Sequence, residues 1–229
     1  MQILISNDDG IEAPGIEAMV ELAREFGEPI VFAPMNQQSG IGHQVTVDGP
    51  ISMRQQGENR YAVAGTPADC VRVAMSQFDF DFQWMLSGIN AGGNLGVDVY
   101  MSGTAAAARE ASYYGIASIA VSQYRSKNHV PDWNRSRLLA KRGIEFALAK
   151  KEASEGFWNI NLPCVTAVSN DGQEVPVRVC KLDRNPHKIA YRKSDNSLYY
   201  DGVYQDRPRD HSSDVDLCFG GAVTLTRCS

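Results

Sequence analysis

The sequence has few cysteines, and none of them form a paired motif. The five cysteines among 229 residues are Cys70, Cys164, Cys180, Cys218 and Cys228, and no two are separated by only two residues. This spacing excludes a disulfide framework and a structural zinc site, and it is typical of a reducing compartment. Cys70 lies in an apolar helical stretch, so we expect it to belong to the core rather than to act as a nucleophile.

The sequence also has little positive charge and no long hydrophobic run. Its net charge of -5 argues against an extended basic surface for a nucleic-acid polymer, although a small anionic substrate remains compatible. No apolar stretch approaches the roughly 20 residues that a membrane-spanning helix needs, and no signal-peptide pattern opens the chain. We therefore predict a cytoplasmic protein that binds neither a nucleic-acid polymer nor a membrane.

Short apolar segments alternate with amphipathic segments over the first two thirds of the chain. This pattern predicts an α/β fold with a Rossmann-like, doubly wound and mostly parallel sheet. Residues 43–63 are polar and β-prone, and we expect a hairpin or an excursion there. The predicted strands cover residues 3–6, 30–33, 84–86 and 117–121, and the predicted helices cover residues 16–26, 67–75, 103–114 and 138–149.

The last third of the chain changes character. Five short β-prone segments, at residues 160–162, 177–182, 189–192, 198–200 and 222–226, are joined by loops rich in Asp, Asn, Pro and Gly. We predict an appended, largely antiparallel β region here. We predict one domain with two parts. Residues 1–155 form the core, and residues 156–229 form the final core elements and a hairpin extension. Exposed strands can pair with another subunit, so we expect a homodimer or a homotetramer.

Two adjacent carboxylates follow the first predicted strand. The apolar run from Ile3 ends on Asn7, Asp8, Asp9 and Gly10. Ligands of open α/β sheets collect outside the carboxyl ends of the strands, and neighbouring carboxylates repel unless a cation or a shared proton relieves them. Asp and Gly also suit an ordinary tight turn, so the motif alone leaves a turn and a metal site equally open.

Two further loops are expected at the same edge of the sheet. Ser39 follows the second strand and Asn90 follows the third, so both join Asp8 and Asp9 as oxygen donors. This donor set predicts a site for one Mg²⁺ or Mn²⁺ ion per subunit. His43 lies near the second loop and is a candidate substrate contact, although a loop histidine is more often an ordinary polar residue.

A glycine-rich stretch, residues 87–96, leads into Ser102, Gly103 and Thr104 at the start of a predicted helix. Backbone N–H groups at a helix start, with small side chains around them, form a phosphate site. The alternative is that Ser102 or Thr104 only caps the helix. The stretch has neither the glycine spacing of dinucleotide-binding folds nor the lysine of a P-loop, which disfavours both of those functions.

These motifs together resemble the SurE family. The resemblance rests on five blocks in order: residues 7–15, residues 33–40, residues 65–71, residues 87–96 and residues 102–104. It implies a divalent-metal-dependent phosphatase that acts on nucleoside monophosphates as a 5′-nucleotidase, with 3′-nucleotides and short polyphosphate as further candidate substrates. By position, it assigns the metal to Asp8, Asp9, Ser39 and Asn90, and the phosphate to Asn94, Ser102, Gly103 and Thr104.

The mechanism that follows is attack of water on the phosphate, with Asp8 and Asp9 as catalytic residues that orient or deprotonate the water. A covalent aspartyl-phosphate is the rival route. The main alternative function is a non-catalytic module that binds a nucleotide or a metal on the same fold.

Overall fold

The computed structural model describes residues 1–126, 130–150, 156–164 and 175–229, and it confirms the α/β fold. Within these residues, a nine-stranded sheet has the order β3-β4-β2-β1-β5-β6-β7-β11-β8, and β9 and β10 form a separate two-stranded sheet. The strands are β1 Gln2–Ser6, β2 Glu28–Pro34, β3 Met53–Gly57, β4 Arg60–Val63, β5 Phe82–Asn90, β6 Ala117–Gln123, β7 Phe157–Leu162, β8 Val177–Val179, β9 Tyr191–Ser194, β10 Ser197–Tyr200 and β11 Val223–Cys228. The helices are α1 Pro14–Ala23, α2 Pro67–Gln77, α3 Gly103–Tyr113, α4 Trp133–Ala149 and α5 Asp214–Phe219.

The central strands are parallel, as the sequence predicts. β1 pairs in parallel with both β2 and β5, and β5, β6 and β7 continue the parallel ladder. The carboxyl ends of β1, β2 and β5 therefore meet at one edge of the sheet, where the loops after these strands carry the predicted site residues.

Helices cover both faces of the sheet. Ile3 and Ile5 of β1 pack in one hydrophobic cluster with α1 and α4, whereas Leu4 packs on the opposite face with α2 and α3. Successive side chains of a strand point to opposite faces, so an uninterrupted apolar run is what a strand covered on both sides requires. Cys70 is fully buried in the second cluster, which confirms the core position predicted for it.

The C-terminal third contains the predicted final core elements and hairpin, but it is less antiparallel than predicted and also contains the helix α5. Three of its five predicted strands join the main sheet: β7 extends the parallel ladder, β11 is antiparallel to β7, and β8 is parallel to β11. Only β9 and β10 form a separate antiparallel hairpin. The predicted division after residue 155 falls at a stretch that lies outside the described residues.

The helix starts follow local signals in the sequence. Thr66 and Asp69 form a reciprocal capping box on α2, and the Ser102 hydroxyl accepts a hydrogen bond from the backbone N–H of Ala105 at the start of α3. Residues 53–63 form the β3–β4 hairpin, within the stretch where a hairpin or an excursion was predicted. Among the described residues, no helix has both the length and the apolar character that spanning a bilayer requires.

The close packing of α1 on β5 gives a test of the fold. A Cβ atom added to Gly15 would lie 2.0 Å from the carbonyl oxygen of Ile89 and 3.0 Å from Cη2 of Trp133. Overpacking of this kind typically lowers stability by about 1–3 kcal/mol, so we expect Gly15→Ala to lower the free energy of unfolding by about 3 kcal/mol in urea denaturation.

The matched control is Gly57→Ala. No described heavy atom lies within 4 Å of a Cβ added to Gly57, so this variant should change stability by less than about 0.5 kcal/mol. Equal stability of the two variants would contradict the packing described here.

Candidate functional site

Asp8 is the most buried carboxylate of the predicted set. It lies two residues after β1 and is 5% exposed, and the Thr104 hydroxyl donates a hydrogen bond to its Oδ1. Burial raises the pKa of Asp8 from 3.8 to about 6, hydrogen bonds from Thr104 oppose the rise, and the charge of Asp9 adds to it. A carboxylate in this environment is stabilised in its charged form by a nearby cation.

The start of α3 rests directly on Asp8. A Cβ atom added to Gly103 would lie 2.8 Å from Cβ of Asp8 and 3.0 Å from Cγ of Pro67, so only glycine fits there without displacement. The Ser102 hydroxyl caps the helix, which is the alternative to phosphate binding that the sequence left open. Thr104 does not cap, because its hydroxyl bonds to Asp8. The structure thus joins the predicted phosphate side to the predicted metal side.

Asp9 is tied to the loop that follows β5. The backbone N–H of Ala91 donates to Oδ2 of Asp9 at 2.8 Å, which places Asn90 one residue from this contact. The side chain of Asn90 is half-buried, and its Nδ2 donates to the carbonyl of Gly92 at 2.8 Å. This bond uses the amide nitrogen rather than the oxygen, and the oxygen is the atom that would bind a cation.

Ser39 lies on the loop after β2, which also contacts Asp8. The backbone N–H of Gln38 donates to the carbonyl oxygen of Asp8 at 2.7 Å, and the exposed Ser39 accepts a hydrogen bond from Nε2 of Gln37 at 2.8 Å. Further along, the N–H of Gly42 donates to the carbonyl of Met101 at 3.0 Å. This loop therefore bridges Asp8 and the residue that precedes Ser102.

Asn94 anchors the glycine-rich loop to β7. Its backbone N–H donates to Oδ1 of Asn161 at 2.8 Å, and its carbonyl accepts hydrogen bonds from the amides of both Asn159 and Asn161. Its own Nδ2 donates to Oγ of Ser122 at 2.8 Å, and the residue is 8% exposed. The structure thus gives Asn94 an anchoring position, and its contact with phosphate stays a prediction.

Asn159 and Asn161 are supporting residues that were not predicted from the sequence. Both are fully buried in β7, and they alternate with apolar residues along the strand. Buried amides need hydrogen-bond partners. Two asparagines at alternate positions of an apolar strand are the signal that could have identified this anchor.

His43 lies on the loop after β2, and its hydrogen bond is made to α3 rather than to the aspartate pair. Its Nε2 is 2.7 Å from Oε2 of Glu110, whose Oε1 accepts a hydrogen bond from Nε of Arg72 at 2.7 Å. The imidazole also stacks on Tyr113, with ring centroids 6.0 Å apart. These contacts attach the loop after β2 to the body of α3, and the substrate contact predicted for His43 stays untested.

The chemistry of the donor set fits a hard divalent cation. Asp8 and Asp9 supply carboxylates, and the loops that carry Ser39 and Asn90 are hydrogen-bonded to the same pair. No cluster of three or more His, Cys, Asp or Glu side chains suited to a metal occurs in the described ranges, so any site here depends on hydroxyl or amide oxygens as well.

Two open clefts meet at Ala91. One, of about 370 Å³, is lined by Asp9, Met35 and Trp133, and the other, of about 740 Å³, is lined by Gly93, Tyr124 and others. Both volumes lie in the range of small-molecule sites. A larger cleft of about 1100 Å³ beside Arg109 contains none of the predicted site residues, so cleft size alone does not identify the site.

The raised pKa of Asp8 predicts a pH-dependent stability in the absence of divalent cations. Well below pH 3.8 the carboxyl is protonated in both the folded and the unfolded chain. Between 3.8 and about 6 only the unfolded chain ionises, so folding becomes less favourable as the pH rises. Asp8→Asn removes this effect, so the variant should be more stable than the wild type by about 3 kcal/mol at pH 7 and by less than about 1 kcal/mol at pH 4.

Urea denaturation in EDTA between pH 4 and pH 7 measures this difference. Asp79→Asn, at an exposed carboxylate, is the control and should follow the wild type across the range. A stability difference between Asp8→Asn and the wild type that does not grow with pH contradicts the burial of a charged Asp8.

Comparison with known proteins identifies the family of this chain. The sequence profile described as survival protein SurE matches residues 3–188. A Nostoc sp. protein whose name carries 5′-nucleotidase as a provisional activity is 44% identical over 99% of this chain and 99% of its own length. A Rhodopirellula baltica protein named 5′-nucleotidase SurE is 35% identical over 99% of this chain and 91% of its own length. The crystal structure of the SurE protein from Aquifex aeolicus matches with a TM-score of 0.85 at 28% identity, covering 100% of this chain and 93% of that one. These matches, which cover most of the chain, confirm the resemblance, and the chain belongs to the SurE family.

Proposed function

We propose that this protein is a divalent-metal-dependent 5′-nucleotidase that hydrolyses nucleoside monophosphates to nucleoside and inorganic phosphate. The observation that carries the proposal is the direct contact between the start of α3 and the aspartate pair, through Thr104 and Gly103 on Asp8. A phosphate at the helix start would lie beside the carboxylates. The names of the relatives support the same activity.

The proposed ligands of one Mg²⁺ or Mn²⁺ ion per subunit are Asp8, Asp9, Ser39 and Asn90. All four are oxygen donors at the carboxyl ends of β1, β2 and β5, and Asn90 is itself the last residue of β5. When bound, such an ion supplies Lewis acidity and lowers the pKa of a coordinated water.

The residues of the chain would bind the phosphate and activate the attacking water. The N–H groups at the start of α3, over residues 102–104, hold the phosphoryl oxygens as charge redistributes on them. Asp9 is the more exposed of the two carboxylates and is fixed by the N–H of Ala91, so it is suited to orient the attacking water and accept its proton. Asp8 is the less accessible carboxylate, and Thr104 fixes its orientation.

The two clefts that meet at Ala91 offer room for the nucleoside. Trp133 and Met35 line the cleft beside Asp9, and Tyr124 lines the other. A phosphate at Asp9 would leave the sugar and base to occupy one of these clefts. This arrangement suits a small phosphate ester better than a polymer, in keeping with the net charge of -5.

The direct experiment is phosphate release from a panel of nucleoside 5′-monophosphates, 3′-monophosphates and short polyphosphate, with Mg²⁺, Mn²⁺ or EDTA. We expect turnover of 5′-monophosphates with either cation and none in EDTA. Asp8→Asn should lower turnover by at least about 100-fold, because even residues that only support a metal ligand change affinity or activity by about 10- to 100-fold.

Thermal unfolding with and without Mn²⁺ separates loss of the metal from loss of the fold. The cation should raise the melting temperature of the wild type and of the Asp79→Asn control, but not that of Asp8→Asn. Wild-type binding of nucleotide and cation without any phosphate release would favour the alternative, a non-catalytic binding module. A trapped phosphoaspartate at position 8 or 9 would instead establish the covalent route.

We further propose that the β9–β10 hairpin mediates assembly into a homodimer or a homotetramer. Leu198, Tyr199 and Tyr200 on the hairpin are at least half exposed, which favours contact with a second copy of the chain. We also propose that this assembly forms in the cytoplasm, and the cysteine pattern, which is typical of a reducing compartment, supports that location.

A further inference from the structure

A half-buried carboxylate outside the aspartate pair accepts several hydrogen bonds in the segment that leads into α3. Asp98 lies in a short 3-10 helix, Gly96–Tyr100, and its side chain is 12% exposed. Its Oδ1 is hydrogen-bonded to Nε2 of His187, and its Oδ2 accepts hydrogen bonds from the hydroxyl of Tyr204 at 2.6 Å and from Nη1 of Arg207 at 2.7 Å. Three donors on one carboxylate fix the position of the 3-10 helix.

All three donors come from the C-terminal third of the chain. The side chain of Arg207 is only 1% exposed, and its Nε and Nη2 are buried without a hydrogen-bond partner in the part of the chain that the structure describes. The charge of Arg207 therefore depends on Asp98 for compensation. Together with the contacts of His187 and Tyr204, this ion pair attaches the C-terminal third to the 3-10 helix.

The beginning of the same 3-10 helix has a second attachment. The N–H of Gly96 donates to Oδ2 of Asp214 at 2.7 Å, and Oδ1 of Asp214 accepts the N–H of Asp183 at 2.8 Å. A Cβ added to Gly96 would lie 3.0 Å from Nη2 of Arg207. The chain is thus held at Gly96 and again at Asp98.

The distance along the chain from this attachment to the site is short. The N–H of Met101 donates to the carbonyl of Asp98 at 3.0 Å, and Ser102 follows directly as the cap of α3. Thr104, two residues later, bonds to Asp8. A shift of the 3-10 helix would therefore move the Thr104 hydroxyl and the helix start relative to Asp8.

We propose that Asp98 is a positioning residue for the proposed phosphoryl hydrolysis, held by His187, Tyr204 and Arg207, and that it keeps the start of α3 in register with Asp8. The inference rests on the proposed function for its kinetic effect. The structural part of the proposal, that these contacts keep residues 98–106 ordered, does not depend on that function. The C-terminal third of the chain is then part of the catalytic apparatus through these contacts.

The test uses variants that remove single donors, since Asp98→Asn would leave Arg207 buried without its anion and could unfold the chain. Tyr204→Phe keeps the ring and removes the hydroxyl, and His187→Ala removes the imidazole. Each should lower kcat for a nucleoside 5′-monophosphate by about 3- to 10-fold at saturating Mn²⁺, with KM within twofold of the wild type, because a small displacement in a reacting geometry acts on the rate. His187→Gln, which retains an N–H donor, should restore kcat to within twofold.

Tyr114→Phe is the matched control, because it makes the same change at a half-exposed tyrosine that caps the far end of α3. It should leave kcat and KM unchanged. Amide hydrogen exchange gives the second readout: the N–H groups of Met101, Ala105 and Ala106 should exchange at least about tenfold faster in Tyr204→Phe than in the wild type and in the control.

Unchanged exchange at these amides in both Tyr204→Phe and His187→Ala overturns the proposal. It is also overturned if His187→Gln and His187→Ala lose kcat equally while their melting temperatures fall equally, since that pattern indicates a purely structural role. A wild type without nucleotidase activity contradicts the proposed function instead, and the exchange measurement then decides the positioning role alone.

Discussion

The contact between the buried carboxylate of Asp8 and the start of α3 is the constraint on which the site depends. Asp8 is removed from water, carries a raised pKa, and lies beside a second carboxylate. Desolvation of this kind opposes folding unless hydrogen bonds or a cation compensate for it. Thr104 supplies the hydrogen bond, Gly103 allows the close approach, and the neighbouring oxygen donors suit a cation. Under the proposed function, a divalent ion bound beside Asp8 would offset this unfavourable burial of charge.

The loops around Asp8 are held by backbone contacts as much as by side chains. The N–H of Gln38 bonds to the carbonyl of Asp8, and the N–H of Ala91 bonds to the carboxylate of Asp9. Behind these loops lies a second set of contacts, formed by the asparagines of β7 on Asn94 and by the donors to Asp98. The late part of the chain therefore supports loops that come from the early part, which explains how distant segments of the sequence contribute to one site.

The sequence predicts the core well because its signals are local. Apolar runs such as residues 3–6 specify strands that are buried on both faces, and the Thr66–Asp69 pair specifies a helix start. The aspartate pair could be placed at the sheet edge from topology alone. The C-terminal strands were harder to assign, because a short β-prone segment does not reveal whether it pairs with the central sheet or stands apart. β7, β8 and β11 join the sheet through partners far away in sequence.

The supporting contacts could not be predicted for a similar reason. Ser102 followed its local capping signal, but the bond from Thr104 to Asp8 spans 96 positions of the chain, and the bond from Arg207 to Asp98 spans 109. The hydrogen bond from His43 to Glu110 spans 67 positions and was likewise not predicted. Long-range polar contacts have no periodic signature, so only the folded structure reveals them.

The hydroxyl of Thr104 provides the most direct test of the central claim that the start of α3 and Asp8 act as one unit. The measurement is the kcat of phosphate release from a nucleoside 5′-monophosphate at saturating Mn²⁺ for Thr104→Val and Thr104→Ser. The account predicts that Thr104→Val, which keeps the shape but loses the hydroxyl, falls by at least about tenfold, whereas Thr104→Ser stays within about threefold of the wild type. Wild-type turnover in a folded Thr104→Val would contradict it.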